Sequence, residues 1–102
     1  MNTNIPDPPF EGAAEARIVC AALQHKDTKE IVIGPRHYDK IMRDQFENFG
    51  GSEKWRIRVD QGFIDQYGRF LNREVSWVIA ESQGQIIKRC SYDGTLYSEN
   101  LY

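Results

Sequence analysis

The sequence has no long apolar run. No hydrophobic stretch approaches the roughly 20 residues that a helix needs to cross a bilayer, and the opening MNTNI has neither the basic nor the apolar part of a signal peptide. We therefore expect a protein that works in the cytoplasm where it is made, without a membrane partner.

Cysteine and histidine are scarce. Cys20 and Cys90 each lie in or after an apolar, strand-like stretch, which is typical of small buried side chains in a reducing compartment. The sequence contains no Cys-x-x-Cys motif, and His25 and His37 lack the spacing of zinc ligands. These absences argue against a metal site.

The chain also lacks a large excess of either positive or negative charge. The 13 Lys and Arg residues nearly balance the 15 Asp and Glu residues, and the two signs alternate along most of the chain. Duplex nucleic acid is an improbable partner, because its binding needs a basic face. A small ligand with one or two phosphates needs only a few well-placed arginines, so that class stays open.

Motifs typical of enzymes are absent as well. The sequence has no glycine-rich phosphate loop and no spaced carboxylate pair on a catalytic frame, so we expect a non-enzymatic binding module without a cofactor. Its 102 residues, 40% of them apolar, suit one soluble domain. The proline-rich start predicts a flexible arm over residues 1–14, with the single domain over residues 15–102.

Hydrophobic periodicity predicts the secondary structure. The predicted elements are strands at residues 18–23, 30–33 and 54–59, a hairpin pairing 61–65 with 69–71, one helix after Pro35, and a second helix capped by Asn72 that buries Val75, Val78, Ile79 and Ser82. This order predicts an α+β fold in which a small antiparallel sheet carries two helices on one face.

One candidate site lies in residues 34–39, GPRHYD, where a strand gives way to a helix. Backbone donors and the helix dipole attract anions there, so Arg36 and His37 are candidate ligand contacts. The alternative is that these residues only cap the loop. A catalytic pair of His37 and Asp39 is a weaker hypothesis, because side chains two residues apart diverge and no nucleophile is nearby.

A second candidate lies in the predicted hairpin. Phe63 offers an aromatic ring, and Arg69 and Arg73 offer planar donor groups, which suits a nucleobase beside a phosphate. The alternative is an ordinary bulged hairpin whose phenylalanines fill the core. Arg89 belongs to a later basic pair that is more often simply solvated.

The aromatic content points to self-association. Five Tyr and five Phe residues are many for so short a chain, and Trp77 lies off the main apolar stripe of the second helix. Trp77 either widens the core contact or faces a neighbouring chain. We expect a homo-oligomer.

Four segments in this order resemble a family of short phage-encoded proteins, the first-described Thoeris anti-defence sponges. The segments are GPRHYD at 34–39, QGFID at 61–65, GRFLNR at 68–73 and LYSENLY at 96–102. The resemblance implies a protein that acts in the cytoplasm of the host bacterium. It would bind a cyclic ADP-ribose-type nucleotide made by TIR-domain enzymes without cleaving the ligand, and other cyclic oligonucleotides are further candidate ligands.

The resemblance also implies which residues hold the ligand. Arginine would bind phosphate and an aromatic ring the base, in recesses between protomers, and these roles fall on Arg36, Phe63, Asn72 and Arg89, with His37 beside the first. The residues themselves leave Arg69, Arg73 and Arg89 as alternatives for a phosphate contact. Two other functions compete with the sponge: a protein–protein inhibitor of a host defence or transcription factor, and a small hydrolase acting at His37 and Asp39.

Overall fold

A computed structural model describes residues 15–89 and 93–102, and these form a four-stranded antiparallel sheet with two helices. The strand order is β2-β1-β3-β4. The elements are β1 (Ile18–His25), β2 (Ile31–Gly34), α1 (Lys40–Phe46), β3 (Val59–Asp65), β4 (Phe70–Asn72) and α2 (Arg73–Ser82), with 3-10 turns at Glu47–Phe49, Lys54–Arg56 and Ser98–Asn100.

Both helices cover the same face of the sheet. Ala21 of β1 pairs with Gly34 on one side and Phe63 on the other, and Phe63 pairs with Leu71, so these residues share one face. The buried core joins this face to residues of both helices, namely Met42, Phe46, Ile79 and Ala80. The α+β fold predicted from the sequence is therefore confirmed.

Side-chain caps begin both helices. The Asp39 carboxylate accepts from the backbone N–H of Met42 at 2.9 Å, and the Asn72 amide oxygen accepts from that of Val75 at 2.8 Å. Each bond satisfies a donor that has no partner within its helix. Asn72 is thus the predicted cap, and it joins β4 to α2 with no intervening loop.

The strand predicted over residues 54–59 is wrong. Residues Lys54–Arg56 form a 3-10 turn, and the strand begins only at Val59. The fully buried Trp55 explains the difference, because its ring stacks on Phe46 at 5.7 Å and its Nε1–H donates to the Phe49 carbonyl at 3.0 Å. Anchoring one large ring beneath α1 outweighs the two-residue alternation of polar and apolar residues.

The buried face of α2 also differs from the prediction. The helix buries Ser76, Trp77, Ile79 and Ala80, whereas Ser82 is exposed. Trp77 is only 5% exposed within this chain, so of the two predicted alternatives it widens the core contact. Trp77 therefore no longer supports the prediction of an oligomer.

The end of the chain returns to the body of the domain. Leu96 is fully buried, and its N–H donates to the carbonyl of Arg73 at 3.1 Å. This bond places residues 96 and 97 beside the start of α2.

The predicted arm at 1–14 and Cys90 lie outside the described residues. No helix in the described part of the chain is long and apolar enough to cross a bilayer.

Candidate anion-binding site

An open depression of about 820 Å³ lies where β4 turns into α2. It exists because β4 is only three residues long: its last pair joins Asn72 to Gly62, so residues 59–61 of β3 have no partner in β4. The polar side chains that line the depression are Asp60, Gln61, Asn72, Arg73, Glu74 and Tyr97.

Arg73 is the cation of this depression. Its guanidinium donates to the Leu96 carbonyl at 2.7 Å and to the Gln61 side-chain oxygen at 2.6 Å, and its central carbon lies 4.5 Å from the centroid of the Tyr97 ring. Within residues 15–89 and 93–102 no carboxylate forms an ion pair with it. Burial lowers the pKa of Arg73, yet a guanidinium stays charged in a protein. A partly buried positive charge without a counter-ion is therefore available to an anion.

His37 lies behind Arg73. Its Nε2 is 2.7 Å from the Gly62 carbonyl oxygen, and its Nδ1 is 3.5 Å from a terminal nitrogen of Arg73. The ring packs edge-on against Phe63 at 5.1 Å between centroids. Burial lowers the pKa of His37, and the neighbouring Arg73 charge lowers it further, although the Gly62 hydrogen bond acts in the opposite direction.

The other candidate residues from the hairpin fall into different environments. Phe63 is fully buried in the core, so in this conformation its ring offers no face to a ligand. Asn72 borders the depression, with its side-chain oxygen engaged in the helix cap. The ring that borders the depression is Tyr97, which sequence reasoning missed because residues 86–102 show no clear period.

Arg36 and Arg89 do not line the depression. Arg36 donates to the carbonyl of Tyr102 and pairs with Glu99 at 3.3 Å. Arg89 is exposed and pairs with Glu81 at 3.2 Å and Asp93 at 3.1 Å. Both guanidinium groups are thus neutralised by carboxylates of the same chain.

Arg69 is committed to the β3–β4 turn. Its Nε donates to the carboxylate of Asp65 at 2.7 Å, and that carboxylate also accepts from the backbone N–H groups of Tyr67 and Arg69, each at 2.9 Å. Of the three arginines that the sequence left as alternatives, Arg73 is the one that lines the depression.

The electrostatics of the depression are mixed. Asp60 and Glu74 add carboxylates to the lining, and Lys26 pairs with Asp60. One guanidinium beside two carboxylates suits a compact ligand that combines an anionic group with hydroxyl or amino donors. In the described part of the chain no three His, Cys, Asp or Glu side chains are grouped so that they could hold a metal ion.

The catalytic pair of His37 and Asp39 that a hydrolase would need has no geometric support among the described residues. The Asp39 carboxylate accepts from the backbone N–H groups of Arg36 and Met42, at 3.0 and 2.9 Å, and it makes no hydrogen bond to His37. Asp39 is a capping residue here, because both of its bonds go to backbone donors at the start of α1.

The architecture is that of a small α+β protein with helices on one face of an antiparallel sheet. The chain belongs to the Phage T4 y16D protein family, whose sequence profile matches residues 17–102. This match begins one residue before β1 and covers every described strand and helix. No curated protein and no solved structure shows significant similarity to the chain. The protein is therefore a member of a phage protein family.

Proposed function

We propose that the protein is a phage anti-defence sponge that binds a cyclic ADP-ribose-type signalling nucleotide and blocks TIR-dependent Thoeris immunity. The observation that carries the proposal is Arg73, a partly buried guanidinium held against Tyr97 in an open depression, without an ion-pair partner among the described residues. Membership in a phage family agrees with this role. The class of nucleotide comes from the sequence resemblance.

The chemistry of the depression suits the parts of such a nucleotide. Arg73 keeps its Nε–H and one N–H of Nη1 free of hydrogen bonds to the described residues. These two donors point in different directions, so each would donate by itself to a phosphate oxygen. The carboxylates of Asp60 and Glu74 would accept from ribose hydroxyls or from the amino group of adenine. Binding would then neutralise a partly buried positive charge that has no ion-pair partner among the described residues.

We propose that the ligand is held without hydrolysis, in the cytoplasm of the host bacterium where TIR enzymes release it. Capture needs only complementary charge and shape, and no activated nucleophile is required. We further propose that a second copy of the chain closes the open side of the depression. Light scattering at micromolar concentration would test this, and a monomer would remove the inter-protomer recess from the proposal.

Native mass spectrometry tests the function directly. The protein would be purified from cells with an active TIR enzyme, as wild type and as Arg73→Gln, with Arg89→Gln as the matched control. We expect a bound small molecule on the wild type and on the Arg89 variant, released chemically unchanged by heat, and none on the Arg73 variant. A wild-type protein that carries no nucleotide would contradict the proposal, and a cleaved nucleotide would indicate an enzyme.

A second candidate function is inhibition of a host defence or transcription factor by direct contact. The sheet face opposite the helices favours it, since Ile33 is 38% exposed there and Ile64 and Phe70 are only half-buried. A host protein captured equally well in the absence of nucleotide would support this candidate. Ile33→Lys should then abolish the capture, whereas nucleotide binding by the sponge should survive this substitution.

A further inference from the structure

The protonation state of His37 can be read from its contacts. A carbonyl oxygen only accepts, so the 2.7 Å contact with Gly62 requires a proton on Nε2 of His37. In the neutral ring Nδ1 then carries a lone pair, and that lone pair faces the Arg73 guanidinium at 3.5 Å. A second proton on Nδ1 would place two cations side by side in a partly buried setting.

We infer that His37 takes up a proton when an anionic ligand binds Arg73. The affinity for phosphate-bearing ligands then increases as the pH falls. The inference rests on the anion site proposed at Arg73, and it assigns a regulatory role to His37.

Three charged groups act on His37. Arg73 approaches from the start of α2, Glu99 from the 3-10 turn at Ser98–Asn100, and Asp39 from the loop before α1. From β3 the ring contacts the Gly62 carbonyl and the Phe63 side chain. Arg73 is the one cation of the three, so neutralising it with a bound anion removes the charge that opposes protonation of His37.

A bound anion changes the charge that His37 faces, because the Nδ1 atom of His37 lies 3.5 Å from a terminal nitrogen of Arg73. Burial and Arg73 hold the pKa of His37 below its ordinary value in the free protein, and the anion raises that pKa. Affinity therefore increases as the pH falls through the pKa of the bound state, and it levels off below the pKa of the free state. One linked proton gives at most about a tenfold change per pH unit.

Histidine NMR tests this coupling without any nucleotide. Long-range proton–nitrogen spectra report the tautomer and the pKa of His37, and inorganic sulfate is the probe because its charge is constant around neutral pH. We expect the Nε2–H tautomer in the free protein and an increase in the His37 pKa on sulfate saturation. Arg73→Gln should raise the pKa in the absence of sulfate and abolish the response to it. His25 is the internal control, since it does not line the depression and its Nδ1 accepts from the backbone N–H groups of Asp27 and Thr28, so its nitrogen chemical shifts should not respond to sulfate.

Two further results separate this inference from the proposed function. If cyclic ADP-ribose fails to bind at every pH while sulfate still raises the His37 pKa, the nucleotide proposal fails and the coupling stands. If nucleotide or sulfate binds with an unchanged His37 pKa, or if the free protein carries the Nδ1–H tautomer, the coupling is overturned. His37→Gln, checked for folding by circular dichroism, should bind sulfate with an affinity that no longer changes with pH.

Discussion

The guanidinium of Arg73 and the ring of Tyr97 are stacked at 4.5 Å, although the two residues are far apart in the sequence. The backbone bond between Leu96 and Arg73 holds the segment that carries the ring beside the start of α2. An aromatic face attracts a cation without neutralising its charge. The positive charge is thereby fixed at the depression and stays available to a ligand.

Replacing Arg73 should weaken nucleotide capture strongly. One charge-assisted bond is worth roughly 1.5–3 kcal/mol, so Arg73→Gln should reduce the affinity for cyclic ADP-ribose roughly tenfold to a hundredfold. Arg73→Lys keeps the charge but loses the planar guanidinium that donates to Leu96 and Gln61, and it should recover only part of the affinity. Calorimetric titration measures both variants, with circular dichroism to confirm folding.

Arg36→Gln and Arg89→Gln are the matched controls for Arg73. Their guanidinium groups already pair with carboxylates of the chain, so we expect affinities within a factor of a few of the wild type. A large loss of affinity in either control variant, together with an unchanged affinity of Arg73→Gln, would contradict this assignment. It would indicate that the phosphate is bound by Arg36 or Arg89, as the sequence resemblance implies.

Tyr97 should act through its ring and not through its hydroxyl. Tyr97→Phe keeps the stacked face and should bind ligand like the wild type. Tyr97→Ala removes a cation–π contact of about 0.5–2 kcal/mol and should weaken binding by roughly threefold to thirtyfold. Equal affinities of the alanine and phenylalanine variants in calorimetry would show that the ring does not position Arg73.

Asp65→Asn should destabilise the fold. The Asp65 side chain is fully buried and accepts from Arg69 and from two backbone N–H groups, so the amide would turn a donor toward the Arg69 guanidinium. Breaking a buried pair costs about 3 kcal/mol, which urea denaturation at neutral pH would measure. Asp44→Asn is the control, because Asp44 and its partner Lys40 are both largely exposed and the change should be small.

The same carboxylate should contribute to acid denaturation. Burial by itself would raise the pKa of Asp65, but the hydrogen bonds from Arg69 and Tyr67 outweigh it and hold the pKa below its ordinary value. The stabilisation is present above the unfolded-state pKa of about 3.9 and is lost as the pH falls through the folded-state pKa. The stability of Asp65→Asn should therefore decrease less than that of the wild type over this range, and parallel pH profiles would contradict the assignment.

Gly62→Ala should disrupt the β3–β4 pair. A Cβ atom at this position would lie 2.1 Å from the Leu71 carbonyl oxygen and 2.8 Å from the end of the Phe70 ring, and the backbone atom cannot move aside cheaply. The substitution should also displace the carbonyl that His37 contacts. Gly84→Ala is the control: apart from its chain neighbours, no atom of the described residues lies within 4 Å of the added Cβ, so the substitution carries a left-handed backbone cost of about 1–2 kcal/mol. A thermal midpoint for Gly62→Ala above that of Gly84→Ala would contradict this account.

Sequence reasoning located the fold better than the site. Apolar periodicity found β1, the β3–β4 hairpin and both helices, because these patterns follow from local geometry. It failed at Trp55, where packing of one ring against Phe46 converts an alternating stretch into a 3-10 turn. It also identified Phe63 as a candidate stacking platform, although that ring is buried in the core.

The amino-acid sequence by itself determined the elements whose causes are local. The cap at Asn72 and the turn between β3 and β4 act over a few residues, so composition and spacing are enough to predict them.

Only the tertiary structure decided which arginine is available to a ligand. Arg69 and Arg89 pair with carboxylates four residues away, whereas Arg73 meets Leu96 and Tyr97 across a long stretch of chain. Sequence spacing contains no information about such a distant contact, because it forms only when the end of the chain packs beside the start of α2. That packing partly buries the Arg73 guanidinium against the Tyr97 ring and the Leu96 carbonyl, and no carboxylate of the described residues pairs with it. The candidate site results from this arrangement.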